Sequence, residues 1–306
     1  MVDINPGFKG IASITDGSTT YYFRCTDFNL NPKQDVLYYD HVIGLRDTVP
    51  ADSETKGEIA ETSNDINTQK RVWRASTISY GGSMSFPVAL VSPCSGSVVS
   101  NFTPIFDKAK YGKNFELNYV YYCYSGGYKG RKFKDCKINT LGFNIGAGDI
   151  VNVNADIMAT DIEEYDIAVQ YGTKQKLITW DNVSLILTES GGVGNESGID
   201  LSDGVSLFDF NINNNIIPIY TNESLKPKEL RVGMQAINGS LSCYSEQAQE
   251  IIPYSTLVNP YKIKITMSGG FDETLNCVFQ PRDMPGALNS IISTIPFVGV
   301  DKAFGN

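Results

Sequence analysis

The chain has 306 residues, 25 Lys+Arg against 34 Asp+Glu, one histidine and a formal net charge of −9. With 42% apolar and 11% aromatic residues it is neither disordered nor fibrous, and its length allows two domains or one large β unit. The acidic balance excludes a protein that grips nucleic acid by neutralising phosphates, and a lone histidine removes most routes to His-based acid/base chemistry or His-rich metal sites.

Met1 to Pro6 lacks the basic and apolar regions of a secretory signal. No stretch reaches the ~18 unbroken apolar residues of a membrane helix, since Ala287 to Val300 is interrupted by Asn289, Ser290, Ser293 and Pro296. A soluble protein is expected. Its six cysteines (Cys25, Cys94, Cys123, Cys136, Cys243, Cys277) form no C-x-x-C pair and read as reduced, half-buried thiols.

Along the chain, period-2 alternation dominates. It marks Thr19 to Cys25, Phe115 to Tyr121, Asp149 to Ala155, Val183 to Leu187 and Tyr261 to Met267 as strands with one face buried and one solvated. Between such runs, Gly81-Gly82, Gly126-Gly127, Gly146 to Asp149, Gly191-Gly192 and Gly269-Gly270 signal turns. Helix is scarce: Pro104 to Lys110, with Thr103 as N-cap, and Glu246 to Ile252 after Ser245 are the two candidates. The alternation breaks at Asp161 to Asp166, so the stretch from Thr160 to Gln175 is expected to bridge two units.

Those units read as copies of each other. Asp27-Phe28-Asn29-Leu30-Asn31 recurs as Asp209-Phe210-Asn211-Ile212-Asn213, and Gly82-Ser83-Met84-Ser85 recurs as Gly239-Ser240-Leu241-Ser242. Each copy continues with a short helix and an alternating strand, near Phe115 and near Tyr261. The expected domains are 1–165 and 166–306. Between its matched strands the first copy carries an insert, Asp47 to Lys70. It holds Asp47, Asp52, Glu54, Glu58, Glu61 and Asp65 against Lys56 and Lys70, with only Val49, Ile59 and Ile66 as larger apolar groups. Such a segment cannot offset its ordering entropy by burial, so it is either an arm that orders against a neighbouring molecule or a plain flexible loop.

Chemistry has no foothold in this pattern. His41 follows Asp40, but adjacent strand residues face opposite ways. Gly142 to Gly148 lacks the Lys-Ser/Thr of a phosphate cradle and leads into a strand, so it reads as a hairpin. Glu163, Glu164 and Glu250 read as surface charge, and Asp200 to Asp209 misses the spacing of a calcium loop. Tyr119, Tyr121, Tyr122, Tyr124 and Tyr128, followed by Lys129, Arg131, Lys132, Lys134 and Lys137, have the composition of a single-strand-binding surface. Strand alternation makes Tyr119 and Tyr121 core or subunit contacts instead. Trp73 and Trp180 read as core or interface aromatics. No catalytic, cofactor-binding or metal-ligating residue is expected.

Leu177 to Leu185, Val205 to Tyr220 with its Phe210-Asn211-Ile212-Asn213-Asn214-Asn215, and Lys228 to Ser242 with its Gly239-Ser240-Leu241-Ser242 resemble the two-domain tail tube proteins of long-tailed bacteriophages. Gly82 to Phe86 and Cys136 to Ala159 match the same family's early hairpins. The resemblance covers most of residues 10 to 280. It implies a mainly β fold of two tandem tail-tube-like β-sandwich domains, each with a flanking helix. Three such chains would make a pseudo-sixfold ring, and rings would stack head-to-tail into an open tube. It further implies a virion protein of the phage tail, assembled in the host bacterial cytoplasm. Its partners would be other copies of itself, tail tip or baseplate, tape measure and tail terminator proteins. DNA would pass through an acidic lumen without specific binding, and neither cofactor nor membrane would be involved. The other reading is a β-sandwich receptor- or carbohydrate-binding tail module. After the Tyr261 strand the second copy shows no obvious counterpart of the hairpin from Lys134 to Ala159.

Overall fold

A computed structural model describes residues 10–16, 19–40, 71–91, 98–123, 127–166, 175–189, 198–201, 204–221, 224–244, 259–281 and 292–304. The acidic insert with Asp47, Asp52, Glu54, Glu58, Glu61 and Asp65, together with His41, Glu250 and the expected helix Glu246 to Ile252, lies outside these residues.

The chain is mainly β, as its alternation predicts. The first half runs through β1 (Gly10–Asp16), β2 (Thr19–Cys25), β3 (Asp27–Asp40), β4 (Arg71–Pro87), β5 (Ala89–Val91) and β6 (Val99–Ser100) to the helix α1 (Phe102–Tyr111). It continues with β7 (Phe115–Cys123), β8 (Gly127–Gly146), β9 (Asn152–Ala159) and β10 (Asp161–Asp166). The second half holds β11 (Lys176–Leu177), β12 (Val183–Glu189), β13 (Ile199–Asp200), β14 (Val205–Asn213), β15 (Ile217–Thr221) and β16 (Ser224–Arg231). It ends with β17 (Ala236–Tyr244), β18 (Pro260–Met267), β19 (Phe271–Phe279) and β20 (Ile292–Phe304).

Pairing follows one order twice. In the first half neighbouring strands run β2-β1-β7-β8-β9-β4-β3, and in the second β13-β12-β18-β19-β20-β17-β14, every contact antiparallel. The hairpin that the sequence hides in the second copy is therefore present as β19 and β20. Pro281 and Pro285 between them, and Pro296 within β20, break the alternation that would have announced it. A second correction concerns Asp161 to Asp166, which is no linker but β10, laid along β8 with Asp161 opposite Lys134 and Asp166 opposite Lys129.

The helix sits where expected, two residues longer at its start. Thr103 is not its cap: Asn101 holds that place, the Ser100 hydroxyl accepts the Phe102 N–H, and the Asn101 side chain accepts the Ala89 N–H. Gly112 closes the other end in the left-handed region at φ 59°, its N–H turned back to the Ala109 carbonyl. One face of α1 is buried through Phe102, Ile105, Phe106 and Ala109. Phe102 and Phe106 each lie 5.0 Å from the Phe271 ring, and Phe106 meets Phe210 edge-on at 6.3 Å. A first-half helix thus plugs second-half strands, and the buried residues of both halves form one contiguous core. Each such ring contributes about 1.5–3 kcal/mol through burial.

Candidate functional site: the joint between the two strand series

The two series are welded by a single strand. β8 is 20 residues long and changes partners near its middle, at Asp135, whose φ of 46° is rare for a non-glycine residue. Before that point β7 and β10 flank it; beyond it β9 lies on one side and β14 on the other. The β8·β14 ladder runs from Leu207 opposite Gly146 to Asn213 opposite Thr140. Alternation places Leu141, Phe143 and Ile145 with Phe208, Phe210 and Ile212 in the core, and the Phe143 and Phe210 rings stack at 5.0 Å. Through this ladder both series belong to one 15-stranded sheet, which the hairpin β15·β16 and the small sheet β11-β5-β6 stand outside.

Where the ladder ends, a buried polar cluster takes over. Asn214 is fully buried, and its N–H donates to the Asn139 carbonyl at 2.8 Å. Its amide nitrogen donates to the carbonyls of Ala109 and Ile138, both at 2.9 Å, while its oxygen accepts from Gln235 Nε2 at 2.8 Å. Ala109 lies in the last turn of α1, whose carbonyls have no partner within the helix. Gln235 also reaches the carbonyls of Ala109 and Lys110. Asn139 answers with its own side chain, accepting the Ile216 N–H and donating to Asp156. A buried amide with both protons and its oxygen engaged is fully satisfied, so it fixes the joint instead of weakening it.

From this corner the hairpin β15·β16 reaches back over the first half. The Tyr220 hydroxyl donates to the Ile78 carbonyl at 3.3 Å, and Lys226 Nζ meets Asp161 at 2.7 Å. Burial pushes the Asp161 carboxyl up, but the Lys226 ammonium and the Ile162 N–H outweigh it, so it lies below the usual carboxylate range. At the helix end Lys137 Nζ donates to the Gly112 carbonyl at 2.6 Å; burial draws its ammonium below the ordinary lysine value, against the opposing charge of Glu229.

The repeated motifs that the sequence singles out mark the strands on either side of this joint. Asp209, Phe210 and Asn211 lie in β14, and Asp27, Phe28 and Asn29 in β3. The glycines answer to sterics. A Cβ on Gly82 would stand 1.8 Å from the Asn29 carbonyl oxygen, and one on Gly239 would stand 2.3 Å from that of Asp209 and 2.4 Å from the Phe297 ring. The registers differ by two residues, with Asp27 opposite Ser85 in the first series and Asp209 opposite Ser240 in the second. A slip of two keeps every side chain on its face.

Tyr124 and the Tyr122 side chain lie outside the described residues; among the rest of the aromatic and basic run no open cationic groove is found. Tyr119 is buried and stacked on Phe28 at 3.6 Å, with Tyr121 beyond it and Arg131 over the Tyr121 ring at 5.3 Å. Arg131 pairs with Glu164, Lys132 with Glu116 and Lys134 with Glu163. Glu163 and Glu164, read as surface charge, are thus the counter-ions that β10 brings to β8. Gly142 to Gly148 is a hairpin, with the Asp149 N–H returning to the Gly146 carbonyl. Trp180 is half-buried against the core from a 3₁₀ turn. Cys25, Cys136, Cys243 and Cys277 are buried thiols outside any disulfide; burial pushes Cys25 and Cys277 up to about 12 and raises Cys136 as well. Among the described residues no cluster of His, Cys, Asp and Glu could hold a metal ion, and no helix is long and apolar enough to cross a membrane.

Sequence reasoning missed Asn214, Asn139 and Gln235. Asn214 enters the sequence reading only as part of the motif Phe210 to Asn215, and nothing local shows that it faces inward.

A profile of the phage tail tube protein family matches residues 39–298, well over half of the chain. The chain belongs to that family. It is therefore a structural component of a phage tail, and the family supplies the context that the joint lacks by itself: a protein whose work is to associate with copies of itself and with other tail proteins. Among curated proteins no match is found.

Proposed function

We propose that the chain assembles into rings of three, each chain supplying two equivalent β units divided near residue 165, and that the rings stack head-to-tail into the tube through which phage DNA is ejected. The observation that carries this reading is the unequal state of two equivalent strands. β14 is paired on both edges, by β17 and by β8, whereas among the described residues β3 is paired on one edge only, by β4. A unit that joins its successor through one edge and keeps the equivalent edge open at its other end is built for repetition around an axis. Closing the ring would also cover strand edges that otherwise invite uncontrolled aggregation.

The acidic insert fits this scheme as an arm. It lies between β3 and β4, whose last described pair, Asp40 opposite Arg71, fixes both ends of the connection side by side. From there the acids Asp47, Asp52, Glu54, Glu58, Glu61 and Asp65 would reach the adjacent ring, three arms per ring. A net charge of −9 suits a passage along which phosphates slide without being held. Electron microscopy of the purified protein tests the assembly: rings or tubes of regular bore are expected, and a monodisperse monomer at high concentration across a range of salt would overturn it.

A further inference from the structure

We infer that the corner formed by Tyr111, Val232 and Met234, at one end of the β8·β14 ladder, seats in a second copy of the chain on the turn from Gly146 to Ile150, at the other end of that ladder. The inference rests on the tube reading above and adds which surfaces meet when one ring stacks on the next.

The corner is apolar and open. Met234 is 84% exposed, the most open of the large apolar side chains among the described residues, and Ile217, Tyr111 and Val232 are exposed as well. Four backbone segments bring them to one place. The Gly233 N–H donates to the Asn214 carbonyl, Asn215 Nδ2 to the Met234 carbonyl and Gln235 Nε2 to the Lys110 carbonyl, while a Cβ on Gly112 would stand 2.5 Å from a Val232 methyl. Ile217 lies opposite Arg231, one residue before Val232. Apolar side chains left in water as a group, around a polar cluster that is itself satisfied, mark an interaction surface.

Charge selects the occupant. The Tyr111 ring carries two ammonium groups, Lys113 Nζ at 4.8 Å and Lys110 Nζ at 5.1 Å from its centroid. With Lys137, bonded to the Gly112 carbonyl, and Arg231, the corner holds these cations against only Glu229 and Glu273. The far end of the ladder, roughly 20 Å away along the strand, has the opposite character. There Asp149 and Asp181 are exposed, joined through the bond from the Trp180 N–H to the Asp149 carbonyl, and neither is in an ion pair among the described residues. Ile150 is exposed next to Asp149 and bridges to Thr179, and a Cβ on Gly148 would touch nothing, so the tip of the turn is clear. An apolar surface rimmed by cations thus has its complement on the same chain, an apolar residue flanked by carboxylates. Since the two lie at opposite ends of one ladder, pairing them carries each copy onward along the ladder and does not close in a pair, as an open stack requires. The contact uses the rigid joint and not the acidic insert.

Charge exchange on the full chain tests it, with rings and tubes counted by electron microscopy across a dilution series. Lys113→Glu and Met234→Asp alter exposed side chains, and each is expected to form single rings while raising the concentration needed for tubes about tenfold. Added salt is expected to relieve Lys113→Glu. The double variant Lys113→Glu, Asp149→Lys reverses both sides, so it is expected to stack with itself as the unaltered chain does and not to extend unaltered tubes. Tubes of Lys113→Glu and Met234→Asp at the unaltered concentration would overturn the corner as a stacking surface. A double variant no better than Lys113→Glu alone would overturn Asp149 as its counterpart. An unaltered chain that forms neither ring nor tube would instead overturn the tube reading on which the contact rests.

Discussion

Phe28 and Phe210 stand at the same place in two copies of a five-residue pattern, yet the molecule uses them differently. Phe210 is 1% exposed, in a strand covered on both edges, stacked on Phe143 and edge-on to Phe106. Phe28 is half-buried on a strand that, among the described residues, is covered on one edge, its ring laid flat on Tyr119. The pattern specifies a strand and a face in both places. How deeply the aromatic is buried depends on which neighbour the strand finds.

The largest expected effect breaks or keeps this comparison directly. Phe210→Ala should cost about 3–5 kcal/mol in urea unfolding of the full chain, as deletion of a buried aromatic does. Phe28→Ala should cost less, about 1–2 kcal/mol, since less apolar area leaves water when it folds. Equal losses would mean that the two sites are packed alike.

Asn214→Ala sharpens the comparison at the next residue. It removes the bonds to the carbonyls of Ala109 and Ile138 and from Gln235, and about 1–3 kcal/mol should be lost, while Pro32→Ala, at the matching place in the first copy, should leave the stability of the monomer nearly unchanged. The glycines should behave alike despite their different registers. Gly82→Ala and Gly239→Ala each press a methyl into backbone, and a drop of about 1–3 kcal/mol is expected for both in thermal unfolding. A tolerated alanine at either position would show that its strand can shift to make room.

The smallest effect concerns the hairpin that only the second series folds back over the first. The Asp161 carboxyl is held below its ordinary value in the folded chain, so its pairing with Lys226 contributes above the unfolded value of about 3.9 and is lost as the pH falls through the folded one. Both groups are well exposed to solvent, which limits the contribution to under about 1 kcal/mol. Asp161→Asn should therefore lower stability slightly at pH 7, and the difference should shrink as the pH falls below the ordinary carboxylate value. A difference that survives at low pH would have to come from something other than the charge.

Much of this architecture is legible in the residues. β2, β7, β12 and β18 are half-solvated strands, and their alternation carries them within a residue or two of their true ends. The duplication is legible because Gly82 and Gly239 are fixed by backbone contacts no other residue accommodates. What escapes is of two kinds. β10 reads as a linker because its acids answer to lysines and an arginine on β8, a pairing set by tertiary contact and not by local pattern. β19·β20 escapes because its prolines break the alternation, and Asn214 escapes because only the assembled corner shows it facing α1. The family resemblance reached the same mainly β fold from motif order, but it could not have singled out the asparagine.

One more consequence attaches to β8, in the order in which a ribosome delivers the chain. Its second half is finished at Gly146, whereas the strand that covers it begins at Val205. At about 5–20 residues per second, the intervening ~60 residues take some 3–12 s to synthesise. During that interval the edge of β8 that β14 pairs with lacks that partner. Neighbouring ribosomes on one message hold several such halves close together, and arrival of β14 is what covers that edge.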